Sequence, residues 1–541
     1  MNIYILLLTT LALAAPAADI SAPPKSQNQM GVYDIRAFGA VGDGETVNTV
    51  AIQKAIDACA ENGGGRVLIP PGRFVTGTII LKSHVDLHVA AGAFLLGSTN
   101  VADYPNIRTK HQSLYTNHDI QQLIYAENAT NISITGLGTI NGRGGAFIKR
   151  APDPISKRMQ PFMYNIRFIQ CEHVHVADVT LRDSSAWMQQ YLACNYVQVR
   201  GIKIFNHCNK NNDLIDIDGC SNVTISDLIG SSEDDGITLK STGPDTCENI
   251  AIANCVIHSN VNALKFGTES TGGFRNVTVS NIIIHRKSIP SKHIHGLPGD
   301  NWSAIALMIA DGGTLENVRI SNIVADGAWV PLFIRLGNRA RPHRPGAKVE
   351  RVGVVRNIEI DGLVVNAHDF MSHITGIPGH PVRDITIRNV RIASQGGKPL
   401  AEFHKPVPEK EQAYPDSMMF GSGPAYGFFI RHAENIRLEN IELTARTPDL
   451  RPGVIVDQAR KVVLEDLDIQ CFEGNETAIA VRDSQDVEIR DTRITGKTRA
   501  FLQVRGGNSK DIHLRGIRPR NIGELLECKD GADPNQVVIQ P

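Results

Sequence analysis

The sequence predicts an all-β chain, wound as a single-stranded right-handed parallel β-helix with an N-terminal capping helix. Three observations carry that expectation. One segment pattern recurs along most of the chain: Asn or Asp, apolar-x-apolar, Asn, Asp or Gly, then apolar-x-apolar again. No helix-length segment separates successive copies, which excludes a strand–helix–strand design. An amphipathic stretch precedes the first strands, where an open β-helix needs its apolar end covered.

That stretch is TVAIQKAIDACA, residues 49–60. Ile52, Ile56 and Cys59 fall on one helical face, as a helix lying on a core requires. Asn48 is placed to N-cap it, and Gly63-Gly64-Gly65 to stop it. The strands RVLIPPGRFVTGTIILKS then open the ladder.

The repeat itself is anchored at Asn222, Asn249, Asn276, Asn317, Asn357, Asp384, Asn435, Lys461, Asp486 and Asp511. Period-two alternation sends every second side chain into a shared interior. An Asn or Asp before each strand suits a turn, because its side chain bonds local backbone and tolerates unusual φ and ψ. The anchors step by 27, 27, 41, 40, 27, 51, 26, 25 and 25 residues. The long steps predict coils carrying insertions, or skipped coils of weaker pattern. Sequons at Asn222 and Asn276 arise from the turn pattern and are not read as glycan sites. Residues 402–424 break the pattern and read as a long functional loop.

Length alone would suggest three or four domains in 541 residues. Stacked coils extend one core without a boundary, so one β-helix domain over 30–541 is expected. Residues 3–18 form an apolar run with small residues at its end, although no Lys or Arg precedes Lys25. This predicts a signal peptide over 1–18 and a secreted or periplasmic protein. No later segment is apolar for long enough to span a bilayer. A formal net charge of −1 gives no basic surface for nucleic acid. The nine cysteines include no CxxC pair, so zinc-site spacing is absent. Buried thiols are favoured over disulfides joining Cys194 to Cys220 or Cys247 to Cys255.

Two acidic clusters carry the chemistry. Asn211-Asn212-Asp213, with Asp216 and Asp218, precedes Asp234-Asp235-Gly236, and Asp213 to Asp234 is 21 residues. One coil step brings such residues side by side, since paired strands lie about 4.8 Å apart. Three carboxylates on one patch are what acid/base cleavage of a sugar linkage needs. A calcium site or a solvated turn would use the same residues. Adjacent Asp234 and Asp235 both reach the surface only if the chain bends, which Gly236 allows.

Several blocks then resemble one family. They are YDIRAFGAVGDGETVNTVAIQKAIDAC, GLGTINGRGG (136–145), WMQQYLAC and, most specifically, NNDLIDIDGCSNVTISDLIGSSEDDGITLKS (211–241). Together with ITGIPGHPVRDITIRNV (374–390) they resemble bacterial members of the polygalacturonase family, glycoside hydrolase family 28. The resemblance implies an inverting hydrolase of pectic polysaccharide without cofactor or metal, with Asp234 as general acid and Asp213 and Asp235 as bases. Asn211, Lys240, Asn262, Lys265 and Arg335 are the expected substrate-binding residues, and a monomer is expected.

Two family motifs are altered. Gly-His-Gly aligns with Val261-Asn262-Ala263, and the carboxylate-gripping Arg-Ile-Lys aligns with Ala306-Leu307-Met308. Lys240 and Lys265, 25 residues apart, are expected to stack and to supply the missing cations together with Arg335 or Arg339. The changes leave a decorated pectin fragment as open as polygalacturonan. The alternatives are a pectate lyase-like β-elimination and a carbohydrate-binding β-helix that has lost catalysis.

Overall fold

The structure is a computed structural model that describes residues 31–116, 120–147, 163–286, 301–367, 369–517 and 521–540. The expected signal peptide and the expected domain start at residue 30 lie outside them.

The coil segment Cys247–Ser259 shows how the repeat folds. Ile250 and Ile252 are buried, and so are Cys255 and Ile257, so the inward phase shifts between the two pairs. At that shift Asn254 is left-handed, with φ 58°. One left-handed residue turns the strand while both halves keep alternate side chains inside, and Asn reaches this φ at small cost. The next segment, Phe274–Ile284, lies parallel to it in unbroken register, Ile250 on Val277 and Ile257 on Ile284. Repetition of this unit gives one long parallel sheet bent into two walls. A third wall is a separate parallel sheet that includes Ile215–Asp218, Ile237–Ser241, Asn262–Ser270, Ser303–Ile309 and Val330–Leu336. The chain is a parallel β-helix, right-handed as parallel crossovers almost always are.

The anchor asparagines form a ladder outside the core. Nδ2 of Asn249 donates to Oδ1 of Asn222 at 3.3 Å, Asn276 to Asn249 at 3.1 Å, Asn317 to Asn276 at 3.0 Å, and Asn357 to Asn317 at 2.6 Å. Asn317 rests directly on Asn276, so the 41-residue step is an insertion and not a skipped coil. The same holds for the 51-residue step, where Asn435 donates to Asp384 at 2.7 Å. Two of these insertions, 337–353 and 397–427, flank the third wall.

The N-terminal helix, Thr49–Glu61, buries Ile52, Ala55, Ile56 and Cys59 against the first coil. Asn48 precedes it but does not cap it with its side chain. Its amide instead bonds Val41 N and O and Thr46 O, tying the preceding loop together. All nine cysteines are free thiols. Cys194 and Cys220 are stacked, with the Cys194 N–H donating to Cys220 Sγ at 3.3 Å.

Candidate active site

On the third wall, Ile215 and Ile217 point into the core, which turns Asp216 and Asp218 outward. The same alternation turns Thr238, Lys240 and Lys265 outward. Asp216, Thr238, Lys265 and Ala306 occupy one register line across four strands. Lys265 therefore stacks on Thr238, and Lys240 pairs with Asp218, so the two lysines are not stacked on each other as expected. A register shift beyond Leu239 separates them and brings Glu269 toward Lys240.

The catalytic candidates sit at the edge of this wall. Leu214 N–H donates to Asp235 O at 3.0 Å, which sets Asp213 one coil from Asp235. Asn206 Nδ2 holds Asp213 O at 3.0 Å, and the amide of the fully buried Asn212 holds Ser184 O and Ala186 O. Hydroxyls of Ser232 and Ser259 donate to Asp234 O at 3.0 and 2.6 Å, fixing the turn that presents both acids. Gly236 is required there by close approach: a Cβ would lie 2.2 Å from Ala263 O.

Each carboxylate has a different environment. Asp235 receives Lys265 Nζ at 2.5 Å and Asn262 Nδ2 at 2.7 Å. Asn262, at the family's histidine position, thus holds an acid through a neutral amide, and its own Oδ1 accepts from Ser303 Oγ at 2.7 Å. Asp234 has a weaker partner, Asn211 Nδ2 at 3.3 Å. Burial, then the charge of Asp235, pushes Asp234 up to about 7. Burial and the charges of Asp216, Asp234 and Asp235 drive Asp213 well above the usual carboxylate range. Like charges in a desolvated patch retain a proton that water would remove.

Lys240 Nζ lies 3.5 Å from Asp216, 3.6 Å from Glu269 and 4.6 Å above the Trp187 ring. Burial opposes its charge, but Asp216 and Glu269 overcome that and hold its pKa well above the ordinary value. Burial likewise opposes the charge on Glu269, yet Lys240, Arg339 and Arg341 hold its carboxyl below the usual range. Trp187 stacks on Tyr164 at 5.2 Å and meets Tyr115 edge-on at 5.2 Å, giving the cleft an aromatic side.

These residues line one cleft of about 400 Å³, with Tyr115, Trp302, Met308, Arg341 and Tyr414–Ser417 completing it. The structure brings together Asn211, Asp213, Asp234, Asp235, Lys240, Asn262 and Lys265. Arg335 is placed elsewhere, which corrects the expectation for it. Its guanidinium donates to Gly376 O at 2.8 Å and Glu409 O at 2.6 Å, and lies over Phe420. It anchors the 402–424 segment from beneath. Met418, Met419 and Phe420 of that segment cover Ala306, Met308, Val330 and Phe333. The face that carries the Arg-Ile-Lys motif elsewhere in the family is here apolar and largely roofed.

Several lining residues escaped the sequence reading. Glu269 follows Lys265 at an even spacing, so alternation already placed it on the same face. Trp302, Arg341 and Tyr414 come from insertions, where coil spacing gives no signal. The calcium reading is weakened by two ammonium groups already seated among the carboxylates. No helix among the described residues is long and apolar enough to cross a membrane.

A family model described as glycosyl hydrolases family 28 matches residues 59–410, which contain all the acids above. A probable polygalacturonase of Vitis vinifera is 31% identical over 218 residues, 38% of this chain and 43% of that protein. An exo-poly-alpha-D-galacturonosidase of Dickeya chrysanthemi is 40% identical over 140 residues, 24% of this chain and 23% of that protein. The chain thus matches less than half the length of either relative. The crystal structure of an exopolygalacturonase from Thermotoga maritima superposes with a TM-score of 0.57 at 22% identity, covering 69% of this chain and 88% of that one. That likeness shows a shared fold.

Proposed function

The chain belongs to glycosyl hydrolases family 28, and on that premise we propose that it hydrolyses glycosidic bonds of pectic polysaccharide with inversion. Asp234 is the general acid. Its carboxyl holds a proton near neutral pH and gives it to the oxygen of the leaving sugar. Asp235, kept ionised by Lys265 and oriented by Asn262, accepts a proton from the attacking water, with Asp213 beside it as the second base. Asn211, Lys240 and the aromatic side chains orient the sugar. The observation that carries the reading is the difference between the adjacent acids, one clamped by an ammonium group and one raised by burial. Unequal environments of this kind divide acid from base.

A β-elimination needs a lysine or arginine that sheds its proton. Lys240 and Lys265 are both pushed toward the charged form, which favours hydrolysis over the lyase alternative. The roof formed by residues 414–420 supports attack from a chain end, because it covers the wall on one side of the acids. The apolar run at 3–18 supports export to a secreted or periplasmic location, and one β-helix domain acting as a monomer completes the reading. Reducing-end release from a panel of pectic oligosaccharides tests it. The wild-type chain is expected to release sugar, and Asp234→Asn to lose about 10²–10⁴-fold in kcat. Equal rates for the two proteins would refute the assignment.

A further inference from the structure

We propose that Arg341 recognises the carboxylate of a hexuronate bound in the cleft, a role nothing in the coil pattern assigns to it. The acids lining the cleft are Asp213, Asp234, Asp235, Glu269 and Asp416, against Lys240, Lys265 and Arg341 as cations. An anionic sugar is therefore repelled over most of the cleft and can be held only where a cation has donors to offer.

Two of the three cations do not. Lys265 is bound to Asp235 at 2.5 Å, and Lys240 lies between Asp216 and Glu269, with only 6% and 4% of their side chains exposed. The neighbouring Arg339 is locked to Asp311 and Thr268 O. Positions 306 and 308 present alanine and methionine.

Arg341 differs from all of these. Its side chain is 37% exposed, and one terminal nitrogen bonds Glu269 Oε1 at 2.7 Å. Its backbone N–H is fixed by Asp311 at 3.0 Å, which holds the residue at the rim. Guanidinium carries five donors in a planar fork. Glu269 therefore orients it, while the remaining edge has no protein acceptor among the described residues and can take a carboxylate in two parallel hydrogen bonds. The insertion that carries Arg341 continues through His343, Arg344 and Lys348, with Arg344 and Lys348 exposed. That mouth of the cleft therefore attracts anions from solution.

The proposal takes only the sugar class from the hydrolase reading, so binding and turnover separate the two. Isothermal titration with galacturonate and with galactose is run on the wild-type chain, Arg341→Gln and Arg341→Lys. The wild type is expected to prefer galacturonate. Arg341→Gln is expected to bind it about 10- to 100-fold more weakly with galactose unaffected, and Arg341→Lys, charged but without the fork, to fall between. Unchanged galacturonate binding in Arg341→Gln, or equal weakening for both sugars, overturns the role of Arg341. Failure of the hydrolase reading would show separately, as binding without release of reducing ends.

Discussion

Lys265 and Asp235 meet at 2.5 Å across one coil of the β-helix, 4–6% exposed, beside an acid that has no such partner. This pair makes two adjacent aspartates chemically unequal. Asp235 is kept as an anion by a buried ammonium group, while Asp234 is left to hold a proton.

Breaking the pair is costly on both counts. Lys265→Met leaves a buried carboxylate without its counter-charge, and removing one partner of a buried ion pair costs about 3–5 kcal/mol. Thermal unfolding should report a large drop in Tm, and kcat should fall with it. Asn262→Asp, which places a further anion beside Asp235, should lower kcat with a smaller loss of stability.

The pH dependence follows from Asp234. Its folded-state pKa, about 7, is above the ordinary 3.8. An acid catalyst works when protonated, so kcat/KM should fall as pH rises through about 7. For stability, a raised carboxyl binds its proton more tightly in the folded chain. That contribution is complete below about pH 4 and is lost as pH rises toward 7. Asp216, pushed up to about 8 chiefly by burial, acts in the same direction. A pH–rate profile paired with Tm at each pH checks both limbs, and Asp234→Asn should flatten part of the Tm trend.

Much of this arrangement was legible in the sequence. Asn222, Asn249 and Asn276 announced the coil length, and that length placed Asp213 beside the Asp234–Asp235 turn. Alternation around Ile215 and Ile217 fixed which acids face out. Other features depend on contacts that no repeat encodes. Asn48 has the residue type of a helix cap, yet a nearby loop captures its amide. Lys240 and Lys265 are one coil apart in number, but a register shift displaces one from the other. Arg335 looked like a ligand because it is outward-facing and charged. The insertion folded over it and supplied carbonyls instead of solvent.

Arg335 gives a prediction of its own. Arg335→Met removes the donors that hold Glu409 O and Gly376 O, and so loosens the roof over Ala306 and Met308. Product analysis by chromatography should shift from single sugars toward longer fragments, with Tm lowered. Unchanged products would separate the roof from the mode of attack.

Gly236→Ala tests the turn that presents the acids. The added methyl would lie 2.2 Å from Ala263 O, so the backbone must move. Overpacking of this kind costs about 1–3 kcal/mol, and activity should fall further than stability because both acids move with the turn. Gly379→Ala, where an added Cβ meets nothing within 4 Å, is the control for backbone strain alone.

The stereochemistry of the first product tests the central claim most directly. Proton NMR during the first turnovers of a pectic oligosaccharide reads the configuration at the new reducing end. A single displacement by water, with Asp234 as acid and Asp235 as base, predicts a product whose anomeric configuration is opposite to that of the cleaved bond. Retention of configuration, or an unsaturated product absorbing in the ultraviolet, would contradict it.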